Sequence, residues 1–359
     1  VGSVMIDLDD ASTYERLDPS GLNLRLGGLP DQCNEAWIKG KEAVLPKDWR
    51  LCSEVGVAGM GGSAIAGNLA ADLASPSSEI PIRVVRDFKI PGISVESNRL
   101  VVVCSFSGET EETISMFNQA QLTGNALAAI VGGGTLGRLA SAADIPVLTV
   151  DAPGEPRSAV GYNLMLLASL LDRVGAISVT DSSVLEAVAA AESMVAQVKA
   201  SIPTANNYAK QLAKELYGGL TLVYGGGSLS GMALRWKSQL NENGKSWAYA
   251  EQLPELFHNS VESFSSGAAI RKQTTALILM PYQTTPEVSR RYEVLVETLD
   301  QFGIMNRLLT GISGGVLAQS LSMIVLGDHL SYYMGLLSGI NPSETPAIDA
   351  SKQRLSSID

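Results

Sequence analysis

A strand, a glycine-rich turn and a helix follow one another twice in this chain, once in each half. The apolar run 55–58 leads into Gly-Met-Gly-Gly-Ser at 59–63, before a helical pattern over 64–73. The apolar run 221–224 leads into Gly-Gly-Gly-Ser at 225–228, before a helical pattern over 229–239. Serine is a favoured helix N-cap, and glycine lets backbone N–H groups approach a ligand closely. Both turns therefore suit an anion at the start of a helix.

The remaining pattern alternates short β-rich runs with helical stretches. In the first half we predict strands over 82–86, 100–104, 127–131 and 146–149. In the second half we predict strands over 221–224, 275–280 and 305–309 and a helix over 315–338. Strands separated by helices of this length indicate βαβ units and a parallel sheet. The fold class is therefore α/β, doubly wound and Rossmann-like, with helices on both faces of each sheet.

The length indicates two domains, because 359 residues exceed the roughly 150 of an average domain. An alanine-rich periodic stretch over 180–208 predicts one long helix between the halves. We therefore divide the chain into an N-terminal extension (1–35), a first domain (36–178), a linking helix (179–210) and a second domain (211–359).

Charge and cysteine content narrow the possible partners. The net charge of −11, the pI of about 4.8 and the lack of a dense basic run argue against nucleic acid. No window approaches the about 20 apolar residues of a membrane span, and the N-terminus lacks the pattern of a signal peptide. Three scattered cysteines fit neither a disulfide framework nor a zinc site. We expect a cytoplasmic protein that binds no membrane.

Hydroxyl groups cluster directly after the predicted strand 100–104. Ser105, Ser107 and Thr110 lie in the run Ser-Phe-Ser-Gly-Glu-Thr, where open α/β sheets bind ligands. Together with Gly61, Gly62 and Ser63 of the first turn (59–63), they predict a phosphate site that needs no lysine. The alternative is that Ser107 and Thr110 only cap a helix.

Two such loops in a βαβ half resemble the SIS (sugar isomerase) domain, and the repeated opening suggests two copies. The longer motifs resemble the bifunctional phosphoglucose/phosphomannose isomerase family, from about residue 55 to the end. These motifs are residues 59–63, 105–113 (SFSGETEET), 156–159 (PRSA), 241–243 (NEN), 254–259 (PELFHN) and the segment around Lys352. The resemblance implies a metal-independent, cofactor-free isomerase of glucose 6-phosphate and mannose 6-phosphate in glycolysis, gluconeogenesis and mannose metabolism.

Moving a proton between C1 and C2 of an open-chain sugar phosphate requires a base and a group that stabilises the enediolate. Glu242 follows the predicted helix 229–239, and the resemblance makes it the proton-shuttling base. Arg157 follows the predicted strand 146–149, where a guanidinium can stabilise the developing negative charge. Without the resemblance, each would be interpreted as an ordinary surface side chain.

His258 and His329 are the two histidines of the chain. Histidine exchanges protons near neutral pH, which suits ring opening. His258 lies in a polar segment, whereas His329 lies within an apolar helical pattern, so we expect His329 to be structural. The resemblance implies that His258 opens the ring in the active site of the neighbouring subunit of a homodimer.

The C-terminal tail holds two further residues that the resemblance makes functional. A lysine near a terminus is usually only solvated, but the family places a functional lysine where Lys352 lies. Thr345 precedes Lys352 by seven residues, and in the family this small side chain leaves room for both C2 epimers. The chain departs from the family pattern at Glu109, Ala64, Asn68, Phe257 and Ser260. Phe257, next to His258, leaves the sugar specificity open.

The sequence leaves three functions to compare: a metal-independent isomerase, a sugar-phosphate sensor and a dehydrogenase. A metal-dependent isomerase is not indicated, because no His, Cys and carboxylate cluster has ligand spacing. A sugar-phosphate sensor without catalysis, or an isomerase of another phosphosugar, is the alternative to the proposed isomerase. A Rossmann dehydrogenase is disfavoured, because neither glycine turn completes a GxGxxG fingerprint.

Overall fold

The computed structural model describes residues 6–74 and 78–357. In chain order the helices are α1 (Ala11–Leu17), α2 (Leu22–Gly27), α3 (Leu29–Glu42), α4 (Gly61–Asp72), α5 (Glu111–Leu122), α6 (Gly134–Ala142), α7 (Val160–Val174), α8 (Asp181–Val198), α9 (Tyr208–Leu216), α10 (Ser230–Glu242), α11 (Ala268–Lys272), α12 (Pro286–Gln301), α13 (Val316–Leu337) and α14 (Pro346–Leu355). The strands are β1 (Glu54–Gly59), β2 (Ile82–Val85), β3 (Arg99–Ser105), β4 (Ala126–Val131), β5 (Val147–Thr149), β6 (Leu220–Gly226), β7 (Ala248–Leu253), β8 (Thr274–Met280) and β9 (Met305–Thr310).

The strands form two parallel sheets, as the alternating pattern predicts. The first sheet has five strands in the order β2-β1-β3-β4-β5, and the second has four in the order β7-β6-β8-β9. β1 and β3 are neighbours in the first sheet, with Gly59 in register with Cys104. The turns after these two strands therefore lie side by side at one edge of the sheet. The α/β fold class and its parallel sheets are confirmed.

The central strands consist of continuous apolar runs because both faces of each sheet are covered. Every residue of β3 from Leu100 to Ser105 is buried, and so are Val55, Val57 and Ala58 of β1. Runs without polar alternation are typical of parallel strands between two helix layers. A single hydrophobic cluster continues from α3 and α7 through α8 and α13 to α10, so the two sheets share one core.

The helix predicted over 180–208 is wrong in its extent. α8 ends at Val198, and a separate helix, α9, begins at Tyr208. The Asn207 side chain stabilises both ends: its Nδ2 donates to the Val198 and Lys199 carbonyls, and its Oδ1 accepts from the Lys210 N–H. Pro203 lies between the helices and disfavours helical backbone at the residue before it. The linking region (179–210) is thus a helix, a turn and the start of another helix.

Other differences have local causes. The N-caps are Met60 for α4 and Leu229 for α10, so neither serine of the glycine turns caps its helix. β7 is missing from the sequence prediction because Ala-Tyr-Ala-Glu-Gln-Leu is neither apolar nor β-branched. The predicted boundary at residue 35 lies inside α3, which packs against α7. The helix predicted over 315–338 is confirmed as α13, in which His329 is fully buried.

Candidate active site

The turn after β1 brings backbone N–H groups to the start of α4. Gly61 has φ of +49°, a left-handed conformation that favours glycine. A Cβ on Gly59 would lie 2.8 Å from the Cys104 carbonyl oxygen, so this strand end approaches β3 too closely for any side chain. Ser63 is buried in the first turn of α4. Gly61, Gly62 and Ser63 thus occupy a helix N-terminus, where the helix dipole and unpaired N–H groups favour an anion, although the Ser63 N–H itself donates to the Met60 carbonyl at 3.1 Å.

The hydroxyl-rich turn after β3 is ordered by its own side chains. Ser105 Oγ accepts a hydrogen bond from the Gly108 N–H at 3.1 Å and lies 3.1 Å from Thr110 Oγ1. The exposed Ser107 accepts from the Glu109 N–H at 3.2 Å. Thr110 occupies the N-cap position of α5, but its side chain makes no capping bond there. Capping of α5 therefore does not account for the hydroxyl of Thr110.

Glu109, one of the departures from the family pattern, has a local structural role. Its carboxylate accepts from the Thr135 N–H and from the Thr135 hydroxyl, each at 2.8 Å. These bonds hold the hydroxyl-rich turn (105–110) against the neighbouring loop that begins α6. They also lower the pKa of Glu109, because both donors stabilise its charged form.

Arg157 and Glu242 come together between the two halves. Arg157 lies in a short 3-10 turn, Pro156–Ala159, and Glu242 is the last residue of α10. The Nη1 of Arg157 lies 3.6 Å from the Glu242 carboxylate. Arg157 is 4% exposed, whereas the Glu242 side chain is 28% exposed. The carboxylate is therefore accessible to a ligand, while the guanidinium faces it from within the protein.

The 3-10 turn also adjoins the first glycine turn. A Cβ on Gly62 would lie 3.5 Å from the Pro156 carbonyl oxygen and 3.6 Å from the Arg157 Cα. The Arg157–Glu242 pair thus neighbours the start of α4. The structure therefore brings four of the predicted site elements into one region: the first glycine turn (59–63), the hydroxyl-rich turn (105–110), Arg157 and Glu242.

The remaining donors of Arg157 are already bonded. Its Nε donates to Asn243 Oδ1 at 2.5 Å, and its Nη2 donates to the carbonyls of Pro342 at 2.8 Å and Ser343 at 2.7 Å. Asn243 Nδ2 in turn donates to Ser331 Oγ on α13 at 3.1 Å. These bonds fix the plane of the guanidinium and leave Nη1 directed towards the Glu242 side. Because the planar fork sets direction as well as charge, a lysine could not replace it here.

The buried ion pair Arg235–Asp328 holds the backbone of Arg157 in place. Arg235 Nη2 donates to the Asp328 carboxylate at 2.7 and 2.8 Å, and the side chains are 1% and 5% exposed. The same Nη2 donates to the Arg157 carbonyl at 2.9 Å. The backbone of Arg157 is thus tied to α10 and α13. The sequence does not predict this pair, because the two residues lie far apart in the chain.

Three predicted site residues form no hydrogen bond or ion pair with Arg157 or Glu242 in the described residues. His258 lies exposed in the 3-10 turn after β7, and Lys352 lies on the exposed α14. Thr345 is the N-cap residue of α14, directly after the segment that Arg157 holds. In the part of the chain that the structure describes, neither His258 nor Lys352 forms a hydrogen bond or ion pair through its side chain. One chain alone therefore does not connect these two residues with Glu242.

Lys245 is a residue at this site that the sequence does not predict. Its Nζ donates to the Glu242 carbonyl at 2.5 Å and also to the Glu344 carbonyl. Burial and the nearby Arg157 lower the pKa of Lys245 to about 8. Its position three residues after Glu242 is the one signal in the sequence.

Two predictions about other side chains can be followed in the structure. His329 is buried, and its Nδ1 donates to the Val325 carbonyl at 2.8 Å; burial lowers its pKa to about 4. Its burial within α13 favours a structural role, although its Nε2 has no hydrogen-bond partner in the described residues. Phe257 is half-buried against the hydrophobic cluster of the second sheet. Packing therefore explains the aromatic side chain at this position.

Neither a metal cluster nor a membrane span appears in residues 6–74 and 78–357. Within those ranges no group of three or more His, Cys, Asp or Glu side chains is placed to hold a metal ion. Likewise, no helix there is both long and apolar enough to cross a membrane.

The chain is similar to known proteins in sequence and in fold. Residues 205–355 match the family model described as the bacterial phospho-glucose isomerase C-terminal SIS domain. Among solved structures, a hypothetical protein from Thermus thermophilus superimposes with a TM-score of 0.70 at 15% identity, over 96% of this chain and 92% of that one. At this identity the likeness shows the fold alone.

Two relatives carry the same name. The bifunctional phosphoglucose/phosphomannose isomerase of Caldicellulosiruptor bescii is 31% identical over 92% of this chain and 97% of its own length. The enzyme of that name from Aquifex aeolicus is 30% identical over 87% of this chain and 93% of its own. With this identity over almost the whole length, the chain belongs to the family of bifunctional phosphoglucose/phosphomannose isomerases.

Proposed function

We propose that the protein interconverts glucose 6-phosphate and mannose 6-phosphate with fructose 6-phosphate through an enediolate intermediate. The observation that carries this proposal is the Arg157–Glu242 pair beside the two phosphate-type turns. An accessible carboxylate facing a buried guanidinium supplies the two groups that an aldose–ketose isomerase needs. No cofactor or metal ion takes part in the proposed reaction.

The reaction follows from the two side chains. With the open-chain sugar bound, the Glu242 carboxylate removes the proton from C2 of an aldose or C1 of a ketose and returns it to the other carbon. Negative charge develops on the sugar oxygens as the proton leaves. Arg157 Nη1 stabilises that charge, because its other donors are already fixed to Asn243 and to two carbonyls.

The phosphate is held at the carboxyl ends of β1 and β3. Gly61, Gly62 and Ser63 offer the N-terminus of α4, and Ser105, Ser107 and Thr110 offer hydroxyl groups. These donors suit a doubly charged phosphate without a basic side chain, since a helix N-terminus favours an anion. The anchored phosphate places C1 and C2 of the sugar near Glu242.

His258 acts in the proposed site when a second copy of the chain is present. β7 pairs on one side with β6, and its other side meets no strand in the described residues. Near this edge Trp247 and Tyr249 stack at 6.1 Å and are 72% and 50% exposed. An exposed aromatic pair beside an open strand edge is suited to an interface. A homodimer would bring His258 to the partner's site for ring opening.

Thr345 and Lys352 of the C-terminal tail support the proposal that both C2 epimers of the sugar react. Thr345 begins α14, next to the segment bound by Arg157, and its small side chain leaves space at C2 for either epimer. Lys352, about two turns along α14, supplies a positive charge once the helix is placed. The three cysteines are free and buried, which supports a reducing cytoplasm as the location.

The test is proton NMR of the purified protein incubated in D₂O with EDTA and fructose 6-phosphate. We expect deuterium at C2 of newly formed glucose 6-phosphate and mannose 6-phosphate. Glucose 6-phosphate alone would contradict the role of Thr345. Binding without turnover would contradict the proposal and favour a sensor, whereas turnover of a different phosphosugar would retain the mechanism and change the substrate.

A further inference from the structure

Two cations hold three consecutive carbonyl groups of the segment before α14. Arg157 Nη2 donates to the carbonyls of Pro342 and Ser343 at 2.8 and 2.7 Å. Lys245 Nζ donates to the Glu344 carbonyl and lies 3.4 Å from that of Pro342. The bonds to the Pro342 and Ser343 carbonyls are buried or half-buried, and the bond to the exposed Glu344 carbonyl comes from a charged donor, which makes each of them stronger than a neutral hydrogen bond. Arg157 from the first half and Lys245 from the second half therefore both bind the backbone directly before α14.

Lys245 also bonds the end of α10, the helix that carries Glu242. Its Nζ donates to the Glu242 carbonyl at 2.5 Å, so one ammonium group links the end of α10 with the segment 342–344. An ammonium has three donors, and these contacts use them on backbone oxygens alone. Lys245 therefore sets the distance between two backbone segments.

The helix that follows has little else to position it. No residue of α14 from Pro346 to Leu355 is buried, although the helix carries Lys352 and begins after Thr345. Ser343 supplies two further contacts, since its hydroxyl lies 2.6 Å from that of Ser20 and accepts from Arg25 Nη2 at 3.4 Å. The placement of α14 against the body of this chain consequently depends on the segment 341–345.

The backbone at Lys245 is itself unusual. It has φ of +50°, a left-handed conformation that non-glycine residues rarely adopt. Gly244 precedes it, and a Cβ there would lie 2.7 Å from the Leu240 carbonyl oxygen. The chain turns sharply here, and the turn brings the lysine back over the end of α10.

We infer that Lys245 is a positioning residue that clamps the segment 342–344 to the Glu242 end of α10 and so places Thr345 and α14 relative to the Arg157–Glu242 pair. Its effect on turnover rests on the proposed function, whereas the clamp itself does not. Lys245 contacts no reacting atom in this arrangement. Loss of the clamp should misplace the tail while leaving Arg157 and Glu242 where they are.

The clamp needs a protonated lysine. The charged groups that face Lys245 are Arg157, which opposes its charge, and Glu242 and Glu344, which favour it. Because burial and Arg157 prevail, the pKa of Lys245 falls to about 8. The clamp should therefore weaken as the pH rises through that value.

Hydrogen–deuterium exchange of the full chain tests the clamp without any assay of activity. Wild type, Lys245→Met, Lys245→Arg and the exposed control Lys272→Met are compared at pH 7. We expect exchange in 341–357 to rise about tenfold in Lys245→Met, with β3 and α7 unchanged, and to return towards wild type in Lys245→Arg. Unchanged exchange in 341–357 would overturn the clamp. A rise throughout the protein would overturn it as well, because it would mean general destabilisation.

Kinetics of the same variants separates the clamp from the proposed function. With glucose 6-phosphate we expect Lys245→Met to lower kcat on the order of ten- to a hundredfold, the effect of a misplacement of about 1 Å. This loss should shrink as the pH rises through 8, where wild type also loses the clamp. An equal loss at every pH would contradict the role of the charge. If wild type turns over no phosphosugar, the proposed function fails and the exchange experiment still decides the clamp.

Discussion

The Nη1 of Arg157 lies 3.6 Å from the carboxylate of Glu242, and the two side chains come from different halves of the chain. The buried guanidinium is fixed through Nε and Nη2, so its third nitrogen is held facing the end of α10. A group held in advance at the place where charge develops needs no reorganisation during the reaction.

Glu242→Gln should abolish isomerisation and leave the fold intact. The amide keeps the shape of the side chain but cannot accept the proton, so kcat should fall about 10³-fold. Exchange of deuterium into fructose 6-phosphate should be lost with it. Glu192→Gln on the exposed face of α8 is the matched control. Full activity of Glu242→Gln would remove Glu242 from the role of base.

Arg157→Lys should affect both activity and stability. The lysine keeps the charge but loses the fork that bonds Asn243, Pro342 and Ser343. We expect kcat/KM to fall about 10²- to 10³-fold and the free energy of unfolding to fall by about 2–4 kcal/mol. Steady-state kinetics and urea denaturation measure the two effects. Arg138→Lys on the exposed part of α6 should change neither, and a neutral Arg157→Lys would contradict the assigned role.

The sequence predicts the sheets well because their strands are buried on both faces. The run Leu100–Cys104 is continuously apolar, and β3 occupies it. β7 escapes prediction because an edge strand need not be apolar. The single helix over 180–208 is wrong because its alanine-rich composition favours a helix, whereas Asn207 and Pro203 end it.

The site is predicted less completely than the fold. Glycine turns and hydroxyl groups follow strand ends, so their grouping can be derived from the chain order. The hydrogen bonds from Arg157 and Lys245 to the carbonyls of 342–344 cannot be derived from the chain order, because they depend on how α10, α13 and the tail pack together. The Arg235–Asp328 pair escapes for the same reason, since distant residues carry no local pattern.

Removing one partner of the Arg235–Asp328 pair should be costly. Asp328→Ala leaves a buried guanidinium without its counter-charge, which costs about 3–5 kcal/mol of unfolding free energy. The double variant Arg235→Met/Asp328→Leu should recover most of that loss but lower kcat, because Arg235 also bonds the Arg157 carbonyl. Urea denaturation and kinetics of the single and double variants form the test. A double variant as unstable as Asp328→Ala would contradict the desolvation argument.

Mixing two inactive variants should restore activity if the site is shared. In a hybrid of Glu242→Gln with His258→Gln, one site combines both changes and the other retains Glu242 and His258. After dissociation and random reassociation, half of the dimers are hybrids, so about a quarter of wild-type activity should return. Native mass spectrometry confirms that hybrids form. Hybrids without activity would place His258 outside the partner's site.

Asp72 should make stability depend on pH across the contact between α4 and α10. Its carboxylate accepts from the Gly231 N–H at 2.7 Å, yet burial raises its pKa to about 7. A pKa raised on folding stabilises the protein at low pH, and this contribution is lost as the pH rises from about 4 through 7. Asp72→Asn keeps an oxygen acceptor for Gly231 without a charge.

We therefore expect Asp72→Asn to be more stable than wild type at pH 8, by roughly 2 kcal/mol, and similar to it near pH 4. Urea denaturation at both pH values measures the difference, and the exposed Asp48→Asn is the control for the loss of one negative charge. Parallel stability curves for Asp72→Asn and wild type would show that Asp72 stays ionised in the folded protein. In that case the Gly231 N–H and the start of α10 would outweigh burial at this contact.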